Sequence, residues 1–337
     1  MTTAESDDRD PLLTVIVPVH GIEAYLRQCL DSVLRDGSPV EVLAVDDASP
    51  DGCPAILDAY AEADPRLRVA HLAANVGLGR ARNEGLALAR GEYVWFVDGD
   101  DWLPAGSLTA VLEALRPRPD VLLVDHVKVH DPGGRREADP SSAALRGLAG
   151  AAPLAERPQL LDVTQAAWNR IVRRDLLRKH ELGFFPGWYE DVPFGYLVLV
   201  AADRIAVLDR VCYHYRKRAG AITSTVSPRH AEVFAQYEHL FAGLDRLGAA
   251  GAEFRARLFR RMIDHYLVIA GHESRLPAGA TRAFFHRAAA DYRRYLPAGG
   301  YPTPSGVAGL KHRMLRADAY PAYAVMRRAY RTLAPQR

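Results

Sequence analysis

Four short apolar runs constrain this chain more than any other feature. Leu12 to Val17, Val40 to Val45, Leu67 to Ala70 and Val94 to Val97 are near-continuous, largely β-branched and too short for helices. Such runs suit strands buried on both faces of a parallel sheet. Between them stand stretches of helical period. Ile22, Leu26, Cys29, Leu30, Val33 and Leu34 line one helix face, Pro54 to Ala63 reads as a short helix, and Arg80 to Ala89 as another that stops at Gly91. Strand alternating with helix predicts a layered α/β structure around a mostly parallel sheet. In open sheets of that kind ligands bind beyond the strand ends.

Polar clusters fill those places here. Asp46-Asp47-Ala48-Ser49-Pro50-Asp51-Gly52 follows the second run, Asn75-Val76-Gly77-Leu78-Gly79 follows the third, and Asp98-Gly99-Asp100-Asp101 follows the fourth. Three carboxylates within four positions repel one another, and burying them unpaired is expensive. A divalent cation resolves the conflict, since Mg2+ and Mn2+ take oxygen ligands. The plainer alternative is an acidic turn that caps a helix beginning near Pro104.

Further along, Val121 to Val124 reads as a strand and His130 to Gly134 as turn chemistry. Arg135 to Pro158 is rich in Ala, Gly and Pro with weak periodicity, and is expected to be a mobile excursion. Regular pattern returns at Trp168 to Val172 and in a helix from Arg174 to His180. Gly187-Trp188-Tyr189-Glu190-Asp191-Val192-Pro193-Phe194 opens another helix, and Ile205 to Leu208 and Val211 to Tyr215 read as two strands. After Thr225 only helical spacing remains, beginning with the N-cap pair Ser227-Pro228. The expected organisation is a disordered tail over 1–10, an α/β domain over 11–225 and a helical region over 226–337. The α/β domain divides at 125 into two halves.

Composition excludes several classes. The chain has 337 residues, 49% hydrophobic and 25% charged, with net charge +2, so nothing global points to nucleic acid. Cys29, Cys53 and Cys212 show no metal spacing and suggest free thiols in a reducing, cytoplasmic setting. No apolar run reaches the length of a membrane span. The last segment sets Lys311, His312, Arg313, Arg316, Arg327, Arg328 and Arg331 among Tyr320, Tyr323, Val325, Met326 and Tyr330. Such a helix either packs as a solvated face or rests peripherally on an anionic membrane at its inner face.

Taken together, Val15-Ile16-Val17-Pro18-Val19, Glu23-Ala24-Tyr25-Leu26, Val45 to Gly52, Asn75 to Asn83, Val97 to Asp101 and Tyr189-Glu190-Asp191 resemble a family 2 glycosyltransferase of the GT-A fold. Each motif is weak alone; their order and spacing are specific. The resemblance implies a Rossmann-like GT-A domain with a nucleotide-sugar half over 11–125 and an acceptor half over 126–225. It implies that Pro18, His20, Glu23, Asp47, Asn75, Arg82, Asp98, Arg218 and Ser224 bind the nucleotide-diphospho-sugar. Within that set, Asp47 reads the base and Arg82 approaches the diphosphate. Asp100 and His214 would hold Mn2+ or Mg2+, and Asp191, with Glu190 beside it, would be the general base of an inverting displacement. Trp168-Asn169-Arg170 resembles an acceptor-side element. His20 stands where the family has Tyr or Phe, and Ala48 where it has Gly, which leaves the identity of the base open.

The donor so implied is a UDP-sugar. The acceptor is a hydroxyl of a cell-surface polysaccharide, a teichoic-acid-like polyol phosphate or a lipid-linked precursor, and the helical region could also serve homo-oligomer formation. Three rivals exist. A nucleotidyl transferase needs a basic Gly-rich loop after the first strand, yet Val19-His20-Gly21-Ile22-Glu23 has no cation before Arg27. A dehydrogenase needs G-x-G-x-x-G there, which is absent. A catalytically silent sugar-nucleotide or glycan-binding scaffold would have no use for Asp98, Asp100 and Asp191 together.

Overall fold

Pro18 lies inside the first strand and does not end it. In the computed structural model, which describes residues 10–218 and 225–333, β1 spans Leu13–Val19 and every residue of it is buried. Val97 N–H donates to Ile16 O at 2.9 Å as the last backbone bond to the neighbouring strand. The N–H that Pro18 lacks therefore falls where that neighbour has already turned away.

The chain divides into two compact units. The first runs to Pro186 and again from Glu190 to Arg218; the second takes Gly187–Tyr189 and the helical remainder. In the first unit α1 (Glu23–Leu34), β2 (Glu41–Asp46), α2 (Cys53–Ala63), β3 (Leu67–His71), α3 (Leu78–Leu88), β4 (Tyr93–Phe96) and α4 (Ser107–Leu115) follow β1 in strict alternation. Then come β5 (Val121–His130), β6 (Arg135–Ala138), β7 (Ala151–Ala152), β8 (Arg170–Arg173), α5 (Arg174–Lys179), α6 (Asp191–Ala201) and β9 (Ile205–Lys217).

These strands form one sheet in the order β3-β2-β1-β4-β8-β5-β9-β7, with β6 beside β5. β3, β2, β1 and β4 are mutually parallel. β8 then inserts antiparallel between β4 and β5. The core under the parallel half joins the strands to Leu26, Cys29, Leu30 and Val33 of α1. On the opposite face Gly85 brings α3 close: a Cβ there would stand 2.4 Å from Ile16 Cγ2.

Two expectations are corrected. Residues 135–158 are a run of short elements, β6, β7 and 3-10 turns, anchored by buried Ser142, Leu145 and Leu154. Their weak periodicity reflects elements too short to show one. The two strands read over 205–215 are a single strand, β9, whose pairing with β5 shifts register at Asp125. That irregularity breaks the period-2 pattern.

The second unit is helical: α7 (Val233–Arg246), α8 (Ala249–Gly271), α9 (Ala280–Tyr295), α10 (Gly306–Arg316) and α11 (Tyr320–Leu333). Its core is aromatic, with Phe234, Tyr237, Phe241, Phe259, Tyr266, Phe285 and Tyr292 buried. Buried His312 ties it internally, reaching Asp264 at 2.9 Å and the Tyr301 hydroxyl at 2.8 Å. Among the described residues no helix is long and apolar enough to cross a membrane.

Candidate active site

The strand β4 ends in the acidic stretch, and each of its three carboxylates has a different neighbour. Asp101 is sealed, 1% exposed. It accepts from the Tyr213 hydroxyl at 2.6 Å and from Arg216 N–H at 2.7 Å. Burial, then Asp100 and Asp98, push its pKa well up. Asp100 is partly open and bound by Arg218, whose Nε and Nη2 both lie 2.9 Å from Oδ2. Its pKa is raised by burial and by the nearby Asp98. Asp98 is partly open as well and takes Arg82 Nη2 at 2.6 Å.

Arg82 joins this stretch to the second acidic pair. Its Nη1 donates to Glu190 Oε1 at 2.7 Å, and the guanidinium is 2% exposed. It rests 5.2 Å over the Phe184 ring. Phe184 in turn stacks on Phe194 of α6 and meets Phe96 of β4 edge-on. Asn83 of α3 fixes Phe184 by two bonds to its backbone, 2.8 and 2.9 Å. Gly79, at the start of α3, permits the contact, since a Cβ there would stand 3.1 Å from Glu190 Cγ. Both ends of the Arg82 fork are held by carboxylates.

Glu190 and Asp191 open α6, a helix buried from Val192 to Val200. A helix apolar all round must be interior, and so its first turn carries two carboxyls into low-dielectric surroundings. Glu190 makes no side-chain cap bond and turns its carboxylate to Arg82 instead. Burial raises the Glu190 pKa against the pull of Arg82. Asp191 goes further, pushed up to about 7 by burial and by Glu190 beside it, with Arg82 opposing. The two titrate as a pair. Among the described residues no hydrogen bond reaches the partly exposed Asp191 carboxylate.

The remaining expected residues gather at the ends of β1 and β2. His20 Nδ1 lies 2.9 Å from Asp47 O, and Asn75 Nδ2 lies 3.0 Å from the same ring nitrogen. The Asp47 carboxylate accepts from Val76 N–H at 2.6 Å and Gly77 N–H at 2.9 Å. It is buried and shapes the loop into α3. Glu23 latches the same rim, accepting from Gly52 N–H at 2.9 Å. Buried Pro18 lies near this end of β1, its carbonyl 3.1 Å from where a Gly99 Cβ would stand. Ser224 lies outside the described residues.

His214 stands in β9. Its ring meets Trp102 edge-on, and its Nδ1 is buried without a partner. Burial and Arg136 lower its pKa to about 4, and no aspartate acts on it. Among the described residues no three His, Cys, Asp or Glu side chains converge as a ready-made metal cage. The donor set still fits a hard cation that brings its own oxygen ligands: Asp100 is a partly open carboxylate repelled by Asp98.

Arg216, Tyr25 and Tyr213 were given no role of their own in the sequence. Arg216 donates to Asp100 O at 2.7 Å and Asp131 at 3.0 Å, and lies over Tyr25 and Trp102 at 4.7 and 4.6 Å. Alternation along β9 was the available signal, since residues 214 and 216 share one face and 213 and 215 the other. Trp168 is a packed residue, stacked on Tyr213 at 4.5 Å and 6°.

Comparison with known proteins places this arrangement. The family model described as glycosyl transferase family 2 matches residues 14–180. EpsJ of Bacillus subtilis (strain 168), an uncharacterized glycosyltransferase, is 32% identical over 257 residues, 72% of this chain and 72% of that protein. The succinoglycan biosynthesis protein ExoO of Rhizobium meliloti (strain 1021) is 27% identical over 298 residues, 82% of this chain and 81% of that protein. Among solved structures, S. aureus TarS 1-349 in complex with UDP-GlcNAc superposes with a TM-score of 0.75 at 24% identity, covering 96% of this chain and 93% of that one. At that identity the likeness establishes the GT-A fold.

Proposed function

The chain belongs to glycosyl transferase family 2, and we propose that it moves a sugar from a nucleotide-diphospho-sugar to an acceptor hydroxyl by an inverting displacement. The observation that carries this reading is the Arg82 bridge. One buried guanidinium holds Asp98 and Glu190 together, which sets a free, proton-hungry Asp191 beside an acidic strand end.

Asp191 takes the proton of the acceptor hydroxyl as that oxygen attacks the anomeric carbon. The new C–O bond forms on the face opposite the diphosphate, the bond to the phosphate oxygen breaks, and the nucleoside diphosphate leaves with the electron pair. A base works best with its pKa near the operating pH, and about 7 meets that condition. Arg218, partly exposed and already against Asp100, is the cation placed to meet the departing diphosphate. Asp100 would hold Mn2+ or Mg2+, which when bound supplies Lewis-acid neutralisation of the phosphates.

A UDP-sugar is the favoured donor, supported by the crystallisation of TarS with UDP-GlcNAc. The base would meet the rim formed by His20, Asn75 and Asp47. A cell-surface polysaccharide or its lipid-linked precursor is the favoured acceptor, supported by the role of ExoO in succinoglycan biosynthesis. Exposed Val307, Leu310 and Val325 beside exposed Arg313, Arg316 and Arg328 on α10 and α11 support peripheral contact with an anionic membrane.

The test is a panel of sugar nucleotides assayed for slow hydrolysis and transfer, with calorimetric titration of UDP in the presence and absence of Mn2+. The reading requires UDP binding and turnover of at least one donor. Binding with no hydrolysis or transfer across the panel leaves a scaffold instead.

A further inference from the structure

We infer that Arg170 is a positioning residue that supplies the counter-charge for the Asp191 carboxylate from beneath the first turn of α6. The inference rests on the reading of Asp191 as the base, and it adds a residue that does not touch substrate.

Arg170 opens β8 and is fully buried. Its guanidinium meets neutral acceptors. Nε and Nη2 donate to Asn169 Oδ1 at 3.1 and 3.0 Å, Nη1 and Nη2 to Gln165 Oε1 at 3.3 Å each, and Nη2 to Thr164 O at 3.4 Å. Among the described residues no carboxylate is hydrogen-bonded to it. A buried cation in that state is costly unless an anion lies close by.

Gly195 identifies the anion. A Cβ on Gly195 would stand 2.5 Å from Arg170 Nη1, so the guanidinium lies against the backbone of α6. Asp191 precedes Gly195 by four residues, which puts both on one face of the helix, one turn apart. Burial lowers the Arg170 pKa to about 10, and the largest attraction opposing that fall comes from Asp191. The charges facing Asp191 are Glu190 beside it, Arg82 from α3, Asp98 beyond β4 and Arg170 from β8, while Tyr196 of α6 faces Arg170. Arg82 is shared between two other carboxylates; among the described residues Arg170 has no ion pair with any carboxylate. The guanidinium therefore holds Asp191 as a carboxylate ready to take a proton, against burial and against Glu190.

Gln165→Glu tests this without emptying the site, because it places a carboxylate where Arg170 already donates. Arg170→Gln removes the charge itself. The readouts are the carboxyl-carbon NMR titration of Asp191, assigned by its loss in Asp191→Asn, and the pH profile of kcat/KM. We expect both variants to move the Asp191 titration upward by about one unit, a tenfold change in proton affinity. The acidic limb should follow, with the donor KM within about twofold. Arg170→Lys should restore most of the shift. An unmoved Asp191 titration in Gln165→Glu overturns the inference, whatever becomes of Arg170→Gln. A titration that moves while the pH profile stays fixed leaves Arg170 its role and removes Asp191 from the chemistry.

Discussion

Arg82 Nη1 donates to Glu190 Oε1 at 2.7 Å, and that bond brings the start of α6 to the end of β4. The other arm of the same fork holds Asp98 at 2.6 Å. Two acidic clusters that would repel are thereby kept together around one buried cation. Removing the cation in Arg82→Met leaves buried carboxylates uncompensated. The variant should lose about 3–5 kcal/mol in urea denaturation at pH 8. The loss should shrink at pH 4, where Glu190, its pKa raised by burial, can take a proton. Arg82→Met with Glu190→Gln should recover part of it. An equal loss at both pH values would show that packing on Phe184, and not charge, is what the arginine provides.

Tyr213 is the support of the acidic turn. Its hydroxyl donates to Asp101 at 2.6 Å and accepts from Asp98 N–H at 3.1 Å. Tyr213→Phe keeps the stack on Trp168 and removes only those two bonds. It should cost about 1–3 kcal/mol by thermal or chemical unfolding, the usual penalty for a buried acceptor left short of a donor. A neutral result would mean that Arg216 N–H alone satisfies Asp101.

Much of this architecture could be read from the sequence. The alternation of runs from Leu12 to Val97 gave the parallel half of the sheet, because β-branched runs bounded by polar loops have few other uses. The antiparallel insertion of β8 could not be read, since a run such as Ile171-Val172 carries no sign of direction. At the site, residue types were legible and partners were not. Arg82 resembles a diphosphate ligand in the sequence, and nothing there shows that Asp98 and Glu190 fold onto it. His214 was read as a metal ligand from its side-chain chemistry, and Arg216 was given no role. The structure turns the histidine against Trp102 and lays the arginine on the Asp100 backbone.

The raised pKa of Asp191 has a consequence for stability. A carboxyl whose folded value, about 7, lies above its ordinary 3.8 binds its proton more tightly in the folded chain. Its contribution is therefore fullest below the unfolded value and is lost as pH rises toward 7. Asp191→Asn should match the parent in melting temperature at pH 4 and exceed it at pH 8. A difference independent of pH would remove the titration from the explanation.

A cation at Asp100 leads to a chelation experiment. Transfer should fall to background in EDTA and return with Mn2+ or Mg2+. Asp100→Asn should need a higher metal concentration for half-maximal rate, since it forfeits an anionic oxygen ligand. Full activity in EDTA would assign the diphosphate to Arg218 and its neighbours alone.

The role of Asp191 is tested most directly by the turnover of Asp191→Asn measured beside its donor affinity. The amide keeps the shape of the carboxyl and cannot accept the acceptor's proton. The rate should fall by about 10²–10⁴-fold, while calorimetry finds the UDP-sugar bound within about twofold of the parent affinity. Near-normal turnover in that variant would contradict the assignment of Asp191 as the base.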